Sequence, residues 1–158
     1  MNTDMQPANK IGYLFEHLNG IWSRQSDQVL QEQLGIGLSQ YKIMMAMQWN
    51  PKTQQRRLAQ MLGQTEASVS RQVKLLLEKG MLTTKVNPKE RRERLTEITP
   101  KGLKIAQAAR KAMAAFHAPM FEELSEKQMK QLLETLITLH AYVCQPGKTY
   151  SCNHPLGI

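Results

Sequence analysis

The stretch QTEASVSRQVKLLLEKG, residues 64–80, decides the fold of this chain. Thr65 is a residue type that caps helix N-termini, and Gly80 has the conformational freedom that ends helices. Glu66 favours the positive end of the helix dipole, directly after the cap. Between these ends, apolar residues recur at the three- and four-residue spacings that predict one buried helical face. They are Val69, Val73, Leu76 and Leu77.

The opposite face of this predicted helix carries small, hydroxylic and basic side chains. At roughly 3.6 residues per turn, the residues that point away from the core are Ala67, Ser70, Arg71, Lys74 and Glu78, with Ser68 at the edge. Small residues let a helix approach the major groove, hydroxyls bond bases or phosphates, and an Arg can bind a guanine edge through two hydrogen bonds. The pattern favours a helix that reads DNA.

The neighbouring segments predict a winged helix-turn-helix. A short helix at residues 57–62 is joined to the reading helix by the turn at residues 63–65. The β-branched segments MLTTKV (81–86) and ERLTEIT (93–99) follow at once and predict a β-hairpin. Two helices across a short turn, with a hairpin directly after the second, define this motif.

Most of the remaining chain is predicted to be helical, so the fold class is mainly α with a small β-hairpin wing (α+β). Ser39 suits the N-cap of a helix over residues 40–49. Thr99 before Pro100 opens a helix to about residue 117, and Ser125 to Gln128 form a capping box for a last helix. A first helix is predicted over residues 9–34 from the spacing of its apolar residues.

Net charge is concentrated in the middle third of the chain. The whole chain carries +8, and residues 52–94 carry 11 basic and 4 acidic side chains, a net charge of +7. A basic block confined to one folded region indicates a surface that binds a polyanion. The alternative is a charged surface without a partner.

The segment NPKERRERL, residues 87–95, alternates basic and acidic side chains at the predicted hairpin tip. Arg91 and Arg92 at such a tip can reach the minor groove, where negative potential is concentrated. Glu90 would then hold an Arg side chain in one orientation. The alternative is a solvated turn whose charges cancel. Lys74, Arg56 and Arg57 suit phosphates, which position the protein without specifying sequence. The candidate DNA-binding residues are Arg56, Arg57, Thr65, Ser68, Ser70, Arg71, Lys74, Lys89, Glu90, Arg91 and Arg92.

Together, residues 58–82 and residues 87–102 closely resemble regulators of the MarR (multiple antibiotic resistance regulator) family. Residues 68–71 fall where that family reads the major groove. The family's wing signature is Asp-x-Arg, and Glu90-Arg91-Arg92 stands in its place with Glu for Asp. The resemblance therefore implies that Arg92 enters the minor groove and that Glu90 braces it. Glu93 replaces the small residue that usually follows.

The resemblance also implies a domain organisation and a homodimer. One MarR-type domain spans residues 1–158, with a DNA-binding lobe at 38–100, dimerisation helices at 9–34 and 100–144, and a C-terminal tail at 145–158. A single helix reads few base pairs, so two of them on half-sites about 34 Å apart would make a palindromic operator specific. The expected function is a dimeric repressor of double-stranded DNA that a signal releases. Alternatives are an activator, or an adaptor whose winged helix binds protein.

In the resembling family the signal is often a small aromatic or phenolic effector, bound where the dimer helices meet the DNA-binding lobe. The candidate lining residues are His17, Trp22, Tyr41, Met44 and Met45. The alternative is plain core packing, because aromatics and methionines at helical spacing usually fill space. A peroxide sensor with a Cys in the first helix is not supported, since Cys144 is the first cysteine.

Several other classes of protein are not expected from this sequence. Cys144, Cys152 and His154 match no closed zinc pattern, so neither a metal nor a cofactor is expected. Nucleophile elbow, P-loop, paired-histidine and dinucleotide motifs are missing, so an enzyme is not expected. The longest apolar run, residues 43–47, is too short to span a membrane, and no signal peptide is visible. A cytoplasmic protein is expected.

Overall fold

The computed structural model describes residues 6–49, 51, 53–87 and 94–143, and the statements below refer to these residues. This part of the chain forms helices and one antiparallel hairpin, which confirms the predicted mainly α fold class with a small wing. The elements in order are α1 (Pro7–Leu34), α2 (Leu38–Trp49), α3 (Gln55–Leu62), α4 (Glu66–Glu78), β1 (Leu82–Val86), β2 (Arg94–Ile98), α5 (Pro100–Glu122) and α6 (Glu126–Val143).

Local signals set three of the helix starts. Thr65 Oγ1 accepts a hydrogen bond from Ser68 N at 3.2 Å, and Thr99 Oγ1 accepts one from Gly102 N at 3.1 Å. The predicted capping box also forms, with Ser125 Oγ accepting from the backbone N–H of Gln128 at 3.3 Å. Each cap satisfies an N–H that lacks a partner inside its helix. The predicted caps are confirmed at these three positions.

The predicted start of the second helix and the predicted end of the fifth are wrong. Helix α2 begins at Leu38, and its first N–H donates to Asp27 Oδ1 in α1 at 2.7 Å. Ser39 therefore lies inside the helix and is not its N-cap. Helix α5 continues beyond residue 117 to Glu122, although Pro119 lacks an N–H for the helical ladder. Ring packing between Trp22 and Phe121, at 6.2 Å, holds this last turn against α1.

The core lies within the lobe formed by α2, α3, α4 and the base of the hairpin. Its walls are the end of α1 and the first half of α5. Burying one such aliphatic side chain contributes about 1.5–3 kcal/mol, so this cluster dominates the lobe's stability. The largest fully buried side chains are Leu30, Ile36, Ile43, Met44, Met47, Leu58, Leu76, Val69 and Val73.

The hairpin leaves the core at its base and extends into solvent. Strands β1 and β2 pair from Leu82 opposite Ile98 to Val86 opposite Arg94. Leu82 is 3% exposed and Val86 is 58% exposed, so the paired strands run outward from the lobe. The predicted tip residues lie outside the described residues: Lys89, Glu90, Arg91 and Arg92.

Helices α1 and α6 leave a large apolar surface uncovered. Leu14 and Phe15 on α1 are 52% and 46% exposed, and no residue of α6 is buried. A groove of about 410 Å³ runs between the two helices and the end of α5. Isolated exposed apolar residues are ordinary, but a contiguous apolar groove of this kind marks an interaction surface. Its lining is Ile11, Leu14, Phe15, Leu18, Asn19, Trp22, Phe121, Leu132 and Leu136.

Candidate nucleic-acid interface

Helix α4 divides into one buried face and one exposed face, as its sequence predicts. Val69, Val73 and Leu76 are fully buried, and Leu77 is half-buried. On the other side, the side chains predicted to face away from the core are exposed, with Ser68 half-buried at the edge. We call this exposed set the reading face of α4, and it consists of Ala67, Ser70, Arg71, Lys74 and Glu78.

The cations of the reading face remain available for an outside partner. Within the described residues, Arg71 and Lys74 form no ion pair, and both side chains are exposed. Arg71 lies two turns nearer the helix N-terminus than Glu78, so the acidic residue stands at the far end of the face. A flat, basic helix surface with small residues beside its Arg has the chemistry of a major-groove contact.

The turn between α3 and α4 adds polar groups beside this surface. The cap at Thr65 fixes the first turn of α4 and leaves the Thr65 O–H free to donate outward. Arg56 Nε lies 3.7 Å from Glu66 Oε1 across the turn, and both side chains are largely exposed. Arg57 is exposed on the same helix. The N–H groups and positive dipole of a helix N-terminus favour a phosphate at this end of α4.

Structural support for the wing extends along the paired strands. Lys85 Nζ forms an ion pair with Glu97 Oε2 at 2.6 Å across the hairpin, and Thr96 beside it is 2% exposed. The strands begin directly after α4, because Gly80 adopts φ 68° and turns the chain into β1. The base of the hairpin therefore lies beside α4, which is the position of the wing in a winged helix-turn-helix.

A second feature, the α1–α2–α5 cavity, lies between α1, α5 and the outer side of α2. Its volume is about 440 Å³, within the range of small-molecule sites. It lies behind α2, whose other side faces the core of the lobe. The lining residues are Trp22, Ser23, Ser26, Leu38, Tyr41, Lys42, Arg110, Met113, Ala114 and His117.

The cavity combines aromatic walls with positive charge. Trp22 lies 5.9 Å from His117 between ring centroids, and its indole N–H donates to Met120 Sδ at 3.0 Å. Burial raises the pKa of Tyr41, while the charge of Arg110 opposes part of that rise. The Tyr41 hydroxyl is therefore protonated at neutral pH and can donate a hydrogen bond. Since the lining includes Lys42 and Arg110 but no carboxylate, the cavity favours an anionic or phenolic occupant.

The structure separates the five residues predicted to line an effector pocket. Trp22 and Tyr41 line the cavity together. His17 does not, because it is exposed and stacks on Tyr13 at 5.8 Å. Met44 is 0% exposed and belongs to the core of the lobe. Met45 is half-buried and its Sδ accepts a hydrogen bond from Arg110 at 3.8 Å, but it does not line the cavity.

Sequence reasoning missed the contribution of α5 to this cavity. Arg110 and His117 lie seven residues apart, with Met113 and Ala114 between them at helical spacing. That spacing places them on one face of α5. The signal was therefore present, but the same pattern also fits an ordinary packed face.

The described residues give no indication of a metal centre or a membrane span. They contain no group of three or more His, Cys, Asp or Glu side chains that could share an ion. Among them, no helix combines the length and the apolar character needed to cross a bilayer. Cys144, Cys152 and His154 lie outside the described residues.

Comparison with known proteins confirms the family resemblance. Residues 34–93 match the model of the MarR family. No protein of curated function matches the sequence. Among solved structures, wild-type MarR from E. coli in its apo form is 19% identical, with a TM-score of 0.74 over 86% of this chain and 98% of that one.

Two Rhodococcus structures are similar to the same degree. A MarR-family transcriptional regulator from Rhodococcus sp. RHA1 is 19% identical, with a TM-score of 0.73 over 86% of this chain and 97% of that one. CouR from Rhodococcus jostii RHA1, in a structure bound to p-coumaroyl-CoA, is 20% identical, with a TM-score of 0.72 over 92% of this chain and 99% of that one. At these identities the likeness shows a shared fold, and it extends over the flanking helices as well as the winged helix.

Proposed function

We propose that this chain, which matches the MarR family over residues 34–93 and has the fold of MarR-type regulators throughout its helices, is a sequence-specific DNA-binding transcriptional regulator. The observation that carries the proposal is the division of α4. One face is fully buried at Val69, Val73 and Leu76, and the opposite face presents unpaired Arg71 and Lys74. A helix held by its core face and basic on its outer face fits the DNA major groove.

Within this proposal, the residues of the interface divide by the part of DNA that they contact. Arg71 and Ser70 read base edges, because they lie on the exposed N-terminal half of α4. Lys74 and the Arg56–Arg57 pair bind phosphates and set register. Thr65 and Ser68, at the start of α4, bind the sugar-phosphate backbone of the DNA.

The wing extends the contact into the neighbouring minor groove. Arg91 and Arg92 enter it, Lys89 binds phosphate, and Glu90 orients an Arg side chain. The paired strands support this assignment because they run outward from the lobe directly beside α4. A narrow minor groove concentrates negative potential, which attracts inserted Arg side chains.

The uncovered apolar surface of α1 and α6 supports a homodimer. Two copies that bury these surfaces against each other would present two α4 helices on one side of the DNA. The flanking segments 9–34 and 100–144 then serve dimerisation, and the lobe at 38–100 serves DNA binding, within one domain over 1–158. Two-fold symmetry requires an operator with palindromic half-sites about 34 Å apart or a multiple of it. Bound to such a site, the dimer acts as a repressor.

The α1–α2–α5 cavity is the proposed effector site. Trp22, Tyr41 and His117 supply aromatic walls, and Lys42 and Arg110 supply positive charge. The occupant is a small aromatic or phenolic compound that carries an acidic group. CouR, which has the same fold, is bound to p-coumaroyl-CoA in its structure, so the fold accommodates a phenolic acyl group. Binding there releases the repressor from DNA.

The test is selection of DNA from a random duplex pool by the purified full chain, followed by sequencing. A two-fold symmetric sequence should be enriched, and the logarithm of affinity should fall steeply with the logarithm of salt concentration. Arg71→Ala should lose about 1–3 kcal/mol of binding free energy and relax the preference at one base position per half-site. Arg24→Ala, the control, removes an exposed Arg from α1 and should change neither the binding free energy nor the base preference. Failure of the wild-type protein to enrich any sequence would refute the proposal.

A second arm tests the effector site. The Tm of the protein should rise with benzoate, 4-hydroxybenzoate or 4-coumarate, because a ligand that binds the folded state stabilises it. Arg110→Gln should reduce that rise, whereas Lys127→Gln, an exposed change on α6, should leave it intact. An equal rise in the wild-type protein and in Arg110→Gln would contradict the assignment of the cavity.

A further inference from the structure

The two ends of α4 are held in different ways. At its C-terminal end, Thr99 Oγ1 donates to Gly80 O at 2.8 Å, and Lys101 Nζ donates to Lys79 O at 2.7 Å. These bonds tie the end of α4 to the first turn of α5. The backbones also meet closely here, since a Cβ on Gly102 would lie 2.2 Å from Met81 O. The C-terminal end of α4 is therefore fixed by side-chain hydrogen bonds to its last carbonyl groups and by close backbone packing against α5.

The N-terminal half of α4 is held by side-chain hydrogen bonds to the start of α2. Gln40 Nε2 donates to Gln72 Oε1 at 3.1 Å. One residue earlier in α2, Ser39 Oγ donates to Gln64 Oε1 at 3.1 Å, just ahead of the α4 cap. Two adjacent residues of α2 thus hold the turn that precedes α4 and the middle of α4, which bound the segment that carries Ser70 and Arg71.

Gln40 is a buried polar residue whose amide oxygen and amide nitrogen both form hydrogen bonds. It is 4% exposed, and its Oε1 accepts from Lys79 Nζ at 3.2 Å and from Gly37 N at 3.4 Å. Its Nε2 provides the bond to Gln72. A buried amide is tolerated only when its groups are satisfied, so the surrounding atoms must keep this arrangement.

These hydrogen bonds supply an orientation that the core contacts do not. Val69 and Val73 bury α4 through hydrophobic contact, which is non-directional and permits small rotations of the helix about its axis. A hydrogen bond prefers an angle above about 150° and weakens steeply below about 120°, so it opposes a rotation that bends or stretches it. Gln72 directly follows Arg71, and a rotation that moved Gln72 would carry the Arg71 side chain with it.

We infer that Gln40 is a positioning residue that sets the orientation of the reading face, and so determines base specificity without touching DNA. The inference rests on the proposed function, because it assumes that α4 reads bases. Its geometric part, the hold on the N-terminal half of α4, is independent of that assumption.

The DNA test compares Gln40→Met with the wild-type protein on two duplexes, the sequence enriched from the random pool and a random-sequence control. Met keeps the length of the side chain and removes both hydrogen-bonding groups. The preference for the selected sequence should fall about tenfold, the loss expected for one net hydrogen bond with a buried partner left unpaired. Affinity for the random duplex and its salt dependence should stay unchanged, because the substitution adds and removes no charge.

Two further variants separate positioning from general damage. Gln40→Glu keeps an oxygen acceptor for Lys79 and can bond Gln72 after its amide turns, so it should restore most of the preference. Gln28→Met is the matched control, because Gln28 makes an exposed bond to Glu32 on α1 at 2.8 Å. A wild-type preference in Gln40→Met, or an equal loss in Gln40→Glu, would overturn the inference.

Hydrogen exchange of the free protein decides the geometric part without DNA. In Gln40→Met, the amides of residues 66–74 should exchange about tenfold faster. The amides of residues 75–80 should change much less, because the bonds from Thr99 and Lys101 remain after the bond from Lys79 to Gln40 is lost. Uniform change across α4, or none, would overturn the inference. If Gln40→Met does not fold, Gln72→Met replaces it in both experiments, because it removes the same hydrogen bond by changing a residue that is only half-buried. If the wild-type protein enriches no sequence, the proposed function fails, and the exchange result still decides whether Gln40 holds α4.

Discussion

Replacing Gly102 by Ala should destabilise the protein severely, although Ala is the better helix former. Gly102 lies in the first turn of α5, where an added Cβ would lie 2.2 Å from Met81 O and 2.8 Å from Ile98 Cγ1. A comfortable C···O contact is about 3.3–3.6 Å, so the two backbones would have to separate by roughly 1 Å. That movement stretches the hydrogen bond from Thr99 N to Met81 O, now 3.0 Å long.

The magnitude follows from these contacts. Overpacking of this kind costs about 1–3 kcal/mol, and weakening the bonds that Thr99 makes to Met81 adds about 1–2 kcal/mol. Helix propensity returns at most about 1 kcal/mol. The net loss in the free energy of unfolding should therefore be about 1–4 kcal/mol, a fall in Tm of roughly 2–16 °C for a chain of this size.

Urea unfolding followed by circular dichroism measures the change, with Gly12→Ala as the matched control. Gly12 is also helical, but an added Cβ there meets nothing within 4 Å in the chain. Gly12→Ala should therefore stabilise the protein by about 0.5–1 kcal/mol. Opposite signs for the two substitutions are expected. If Gly102→Ala came within about 0.5 kcal/mol of the wild-type value, the close packing of α5 on the end of α4 would be wrong.

Three further outcomes are expected. Thr65→Ala should cost about 1 kcal/mol in the free energy of unfolding, because Ser68 N loses its acceptor, while Thr65→Ser should keep it; urea unfolding compares the two. Arg92→Ala should weaken operator binding without changing the dimer, as gel shift and analytical ultracentrifugation would show; wild-type affinity would contradict the wing assignment. Because the pKa of Tyr41 is raised in the folded protein, the neutral hydroxyl contributes stability below its ordinary pKa of 10.0, and this stability is lost as pH rises through the pKa of the folded state. Between about pH 9 and 12, the free energy of unfolding should therefore fall less steeply with pH in Tyr41→Phe than in the wild-type protein.

Where signals are local, the sequence predicted the structure well. The caps at Thr65 and Thr99 act within three residues, and the periodicity of α4 encodes its own burial. The start of α2 was missed because its cap comes from Asp27, eleven residues earlier on another helix. No local pattern marks a carboxylate that turns back from α1 to serve a later helix. The start of α2 was therefore predicted wrongly because its cap is a contact between two helices, which local sequence patterns do not encode.

The effector pocket was predicted less well because helical spacing does not say what an apolar face meets. His17 and Trp22 lie on the same helix, yet His17 is exposed near the uncovered surface and Trp22 lines the cavity. Met44 and Tyr41 lie three residues apart on α2, yet Met44 is sealed in the core. Core, cavity and uncovered surface all produce the same periodic pattern. Tertiary packing alone distinguishes them.

The first turn of α2 lies where the two proposed sites meet. Leu38 lines the cavity, and the next two residues, Ser39 and Gln40, hold the N-terminal half of α4. A ligand shifts an equilibrium only by its differential affinity for two states, so an effector that acts through this turn must favour a second position of it. Losing the bond from Gln40 to Gln72 would change DNA affinity by about fivefold to tenfold, at the lower end of the usual range of coupling between sites. Since the C-terminal end of α4 is fixed to α5, such a movement would turn the reading face rather than displace the whole helix.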